Sequence, residues 1–126
     1  MFFIGRTAAN FLYKAVFFPA ILTGISTAFP GWIQFSSWVP VAALSGLFLV
    51  VGLAADETIL PLFGNVKATA QGFLFMFAMI WLAPLVFPGV YVHFAGALLS
   101  AGVLSMAELL MHRWLLRQIR RERTAS

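Results

Sequence analysis

Glu108 and His112 stand four residues apart near the end of an apolar run, so one helix would place both on the same face. A carboxylate and an imidazole at that spacing can share a proton, an ion pair or a metal ion. A stable metal site needs three or four ligands. Asp56 and Glu57 would supply the remainder only if distant segments converge. Acidic residues inside membrane helices often mark proton or ion pathways. Here Glu108 is expected about one turn from the end of its helix, where Arg113 or the central loop can neutralise it. Structural pairing is therefore the stronger reading, at the scale of an exposed ion pair, about 1 kcal/mol. Asp56 and Glu57 are expected to end a helix, where the macrodipole disfavours negative charge, with the basic tail as compensation. Asn65 follows Gly64 in a pair that tolerates positive φ and marks a turn. No nucleophile–base pair is visible, so no catalytic residue, cofactor site or enzyme activity is expected.

The elements that carry these residues are set by two long uncharged stretches. Ala15 to Ala55 and Ala68 to Ala107 contain no Asp, Glu, Lys or Arg. A helix needs about 20 apolar residues to cross a bilayer, so each stretch can cross, turn and return. The composition agrees: 62% of the 126 residues are hydrophobic and 10% charged, against about 25% charged in soluble domains. The expected fold is all-α, one membrane domain over residues 1–126, with four transmembrane helices arranged as two hairpins. Their approximate spans are 9–29, 39–55, 68–86 and 90–111, followed by a basic tail over 112–126. Phe29-Pro30-Gly31-Trp32 to Trp38 and Pro88-Gly89 read as the short turns, and Tyr91 and His93 as part of an interfacial aromatic belt. Leu60-Pro61 should stop the second helix, making 56–67 a loop.

Cysteine is absent, which excludes disulfides and thiolate chemistry. All eight Lys and Arg fall at the termini or in the central loop of this layout. That split places both termini and the central loop in the cytoplasm and argues against dual topology. Lys14, about one turn inside the first helix, is expected to snorkel to the headgroups. Arg113, Arg117, Arg120, Arg121 and Arg123 form a juxtamembrane basic cluster suited to anionic lipid headgroups. Nucleic acid is not an expected partner. The first helix imitates a signal peptide ending at Ser26-Thr27-Ala28, but its apolar character continues through Ile33, and an uncleaved helix is preferred. Ala20/Gly24/Ala28, Ala42/Gly46 and Gly96/Ser100 offer small residues at four-residue spacing as packing surfaces.

The segment Asp56-Glu57-Thr58-Ile59-Leu60-Pro61-Leu62-Phe63-Gly64-Asn65-Val66-Lys67-Ala68-Thr69 resembles the YndM-like family of small four-helix membrane proteins of spore-forming Firmicutes. Asp56, Ile59, Leu60, Pro61, Gly64, Asn65, Ala68 and Thr69 match its pattern; Leu62 and Gln71 stand where family members often carry Arg and Asp. The resemblance implies fold and membrane location and no activity. The function expected is a non-catalytic accessory or envelope component. The alternative is a small oligomeric transporter or channel. A second copy of the chain or another membrane protein as partner is left open.

Overall fold

The computed structural model describes residues 2–125; Met1 and Ser126, the last residue of the expected tail, lie outside the described residues. Three helices make up nearly all of it: α1 (Phe2–Ala28), α2 (Trp38–Val86) and α3 (Phe94–Ala125). All three are long and apolar enough to cross a membrane. The sequence predicts four helices, and the difference lies in the central segment. Residues 56–67 are helical apart from Gly64, not an open loop. Pro61 does not stop the helix. A proline removes one backbone hydrogen bond and strains one turn, a cost that helices in lipid-facing bundles tolerate.

The one non-helical residue in α2 is Gly64, at φ 83° and ψ 175°. Only glycine adopts that region without strain. Asn65, the other half of the expected turn pair, keeps negative φ. A straight helix of 49 residues would be about 70 Å long. Instead the flanks of α2 meet. Strand β1 (Ile33–Gln34) pairs antiparallel with β2 (Tyr91–Val92), with Ile33 opposite Val92 and Gln34 opposite Tyr91. Ser36 Oγ also donates to the Pro88 carbonyl at 3.4 Å. The helix therefore doubles back at Gly64 into arms 38–63 and 65–86, and the Phe48 and Phe75 rings touch edge-on across them at 6.0 Å.

The remaining ends follow ordinary chemistry. Ser37 caps α2 by accepting from the Val39 amide. The His93 ring accepts from the Ala95 amide at the start of α3. Gly96 lies against the Trp32 backbone, so a side chain there would collide with a carbonyl that already accepts from the His93 amide. Of the three small-residue stripes, only Gly96/Ser100 packs inside; Ala20, Gly24, Ala28 and Ala42 face outward.

Two apolar clusters hold the helices. The larger joins all three, with Phe18, Leu22, Phe48, Ile80 and Leu104 among its buried members. The smaller gathers Leu60, Ala68, Met111 and Leu115. The outside is apolar as well: Leu85 is 82% exposed and Val66 77%. Such a surface suits lipid and not water.

Candidate functional site: a buried charge network

Among the polar residues of α1, Arg6, Asn10 and Lys14 recur every fourth position and so form one stripe. All three are buried, and Lys14 is completely so. An unpaired ammonium in that position would cost several kcal/mol, on the order of the desolvation of a single ion. It is paired three times. Lys14 Nζ lies 2.8 Å from both carboxylate oxygens of Glu108. It lies 2.8 Å from Asp56 Oδ2 as well. The three donors of the ammonium thus meet carboxylate oxygens from α2 and α3.

Asp56 is closed from two further sides. Asn10 Nδ2 donates to Oδ2 at 2.7 Å, and His112 Nε2 donates to Oδ1 at 3.0 Å. The same imidazole nitrogen lies 3.0 Å from Glu108 Oε2, one helical turn earlier. On its other edge, His112 Nδ1 faces Thr69 Oγ1 at 2.9 Å and Asn65 Oδ1 at 3.1 Å. The Thr69 hydroxyl donates its hydrogen to Asn65 Oδ1, and the Asn65 amide donates to the Leu109 carbonyl. Every neighbour of the ring can then accept from it, which fits an imidazolium donating from both nitrogens. In that form Lys14, His112, Asp56 and Glu108 sum to zero charge.

A second group adjoins the first. The Arg6 guanidinium bridges Glu57 and Glu122, with Nη2 to Glu122 Oε1 at 3.1 Å. All four acidic residues of the chain are therefore paired with the two cations of α1.

Several expectations are corrected by this arrangement. Lys14 does not snorkel; it points inward, because two buried carboxylates attract it more strongly than the headgroup region. Glu108 is not one turn from a helix end. The helix continues to Ala125, which leaves Glu108 near the middle of α3, 7% exposed, with Lys14 and not Arg113 as its cation. Its loss should then cost more than an interfacial pair. Asp56 and Glu57 are compensated by α1 and not by the basic tail. The tail itself is helical, and Arg113, Arg117, Arg120, Arg121 and Arg123 are exposed along it.

Asp56, Glu108, His112 and Asn65 come together in the structure. Glu57 does not join them. The residues that sequence reasoning passed over are Asn10, Thr69 and the inward roles of Arg6 and Lys14. The four-residue recurrence of Arg6, Asn10 and Lys14 was the available signal.

Asp56, Glu108 and His112 each offer one ligand atom, all within 4.8 Å of one another, a separation that a metal ion could span. The Lys14 ammonium already sits at 2.8 Å from both carboxylates, in the place a cation would take. The set is an ion-pair network with its own internal cation.

Gly52 lets that cation pass. A Cβ at this position would stand 2.9 Å from Lys14 Nζ, whereas one at Gly46, on the same arm, meets nothing within 4 Å. Gly52→Ala should lower stability by about 1–2 kcal/mol through displacement of the ammonium. Gly46→Ala should be neutral or stabilising by up to about 1 kcal/mol. Thermal unfolding of both variants in detergent checks this, and equal shifts would remove the role given to Gly52.

No curated protein and no solved structure matches the chain. A family model does, over residues 6–126, a range that takes in Arg6, the doubled α2 and all of α3. The chain therefore belongs to the family described as protein of unknown function DUF2512.

Proposed function

We propose that this chain is a non-catalytic, multi-pass protein of the bacterial cytoplasmic membrane, an accessory or envelope component that crosses the bilayer four times as two hairpins. Each arm of α2 would make one crossing, with Gly64 at the cytoplasmic turn and the β1–β2 ribbon outside. The observation that carries this reading is the pairing of all four acidic residues with Arg6 and Lys14. It removes charge from the lipid-facing surface and ties α1, α2 and α3 together on one side. The transporter or channel alternative draws less support, because the deep carboxylates are already closed by Lys14 and His112. The exposed arginines from Arg113 to Arg123 would hold anionic headgroups, each contributing about 1 kcal/mol near a charged leaflet.

The layout predicts that both termini and the Gly64 turn are cytoplasmic, since every Lys and Arg lies on that side. A reporter active only in the cytoplasm should work when fused after Ser126 and fail when fused after Gln34. An exterior-active reporter should show the opposite pattern. Activity of the cytoplasmic reporter at both positions would rule out four crossings.

A further inference from the structure

A cavity of about 260 Å³ lies between the two arms of α2, with Phe18 of α1 and residues of α3 completing its wall. Phe18, Phe48, Phe75 and Met76 make it largely apolar and aromatic. Its wall also includes Asp56, Glu108 and His112. Val51 and Gln71 line it and are exposed, so the cavity reaches the surface. The pairing of the charged residues with one another does not account for this space.

We propose that the cavity binds an organic monocation with an apolar body, in exchange for the proton on His112. The balance of charge dictates the ligand class. The groups facing His112 are Lys14 from α1, Asp56, Asn65 and Thr69 from α2, and Glu108 from α3. The Arg6–Glu57–Glu122 group stands beside them. With an imidazolium, the paired set Lys14, His112, Asp56 and Glu108 sums to zero, and the Arg6–Glu57–Glu122 group does not line the cavity. When the Nδ1–H bond breaks, its proton goes to solvent and the nitrogen keeps the electron pair. Thr69 Oγ1, 2.9 Å away, can then turn its hydroxyl hydrogen from Asn65 onto that nitrogen. Nε2–H remains on the carboxylates, and the set is left one charge negative.

A monocation in the cavity restores neutrality. A neutral guest leaves the deficit, and a divalent ion overshoots it. The aromatic wall adds a second attraction, since ring faces draw cations. Lys14 Nζ lies 5.6 Å from the centre of the Phe18 ring, the same kind of contact within the network beside the cavity. An apolar body is needed to fill the space between Phe48, Phe75 and Met76.

Benzyltrimethylammonium is a suitable probe, because its charge does not change with pH. Calorimetric titration of the purified protein in dodecyl maltoside should give one bound probe per chain at pH 8.5, and binding at least tenfold weaker at pH 5.5. Neopentylbenzene, the uncharged isostere, should not displace it. Gly72→Leu puts a side chain into the cavity from a position where a Cβ meets nothing within 4 Å, so the fold should survive. That variant should bind at least tenfold more weakly at pH 8.5. His112→Gln, if folded, should bind equally at both pH values. Absence of saturable binding at pH 8.5, equal affinity of the wild type at both pH values, or full binding by folded Gly72→Leu would each overturn the proposal. The reporter fusions test the four-crossing layout separately, so either can fail alone.

Discussion

Lys14→Met should be the most disruptive single substitution in α1, with a loss of about 3–5 kcal/mol. Methionine has the length to fill the channel beside Gly52 and brings no charge. It leaves Asp56 and Glu108 buried with only His112 between them. One carboxyl group would then have to take up a proton or draw in water, and the α1 contact with both other helices would be lost. Lys67→Met is the matched control. Lys67 is exposed beside the Gly64 bend, and its replacement should change stability by no more than about 0.5 kcal/mol. Unfolding by sodium dodecyl sulfate in mixed micelles measures both. Equal losses for the two variants would mean that Lys14 is solvated and that the network does not form.

Gly64→Val should produce the second large effect. The backbone at Gly64 has φ 83° and ψ 175°, a region that a β-branched residue cannot enter without strain. Holding a non-glycine residue there costs on the order of 1–3 kcal/mol. The alternative open to the chain is to continue the helix through position 64. That would swing arm 65–86 away from arm 38–63 and separate Phe48 from Phe75. It would also pull apart the β1–β2 ribbon. Either outcome lowers folded yield in detergent and the melting temperature. A variant equal to wild type in both would show that the bend needs no positive φ.

These two residues also show what could be read from the sequence. The bend was legible because glycine before asparagine, three residues after a proline, is local turn chemistry. The helix on either side of it was not legible. Pro61 reads as a stop by its effect on the preceding residue, yet packing of Leu60 and Ala68 against Met111 and Leu115 carries the helix past it. Tertiary burial outweighed a local steric preference. The start and end of the helices shifted for the same reason. The residues before Ala9 and those from His112 to Glu122 read as flanks, and both stretches are helical, with Arg6, His112 and Glu122 finding partners across the bundle.

The candidate site was legible only in half. Glu108 and His112 declare themselves by a four-residue spacing on one helix. Their cation does not, because Lys14 is 94 positions away in the chain. A lysine near a helix start has an ordinary use at the headgroups, and nothing local distinguishes that use from an inward one. Asn10 is the residue that distinguishes it. A polar amide midway between Arg6 and Lys14 marks the whole stripe as facing inward, towards Asp56.

The double-mutant cycle of Lys14→Met and Glu108→Gln in mixed micelles tests the buried network most directly. The Lys14 ammonium and the Glu108 carboxylate meet at 2.8 Å with almost no exposure, so each substitution alone strands a charge and the pair together strands less. The double variant should be more stable than the sum of the two losses implies, with a coupling of at least about 2 kcal/mol. Losses that add within about 0.5 kcal/mol would show that the two side chains do not meet, and would contradict the network on which the proposed function rests.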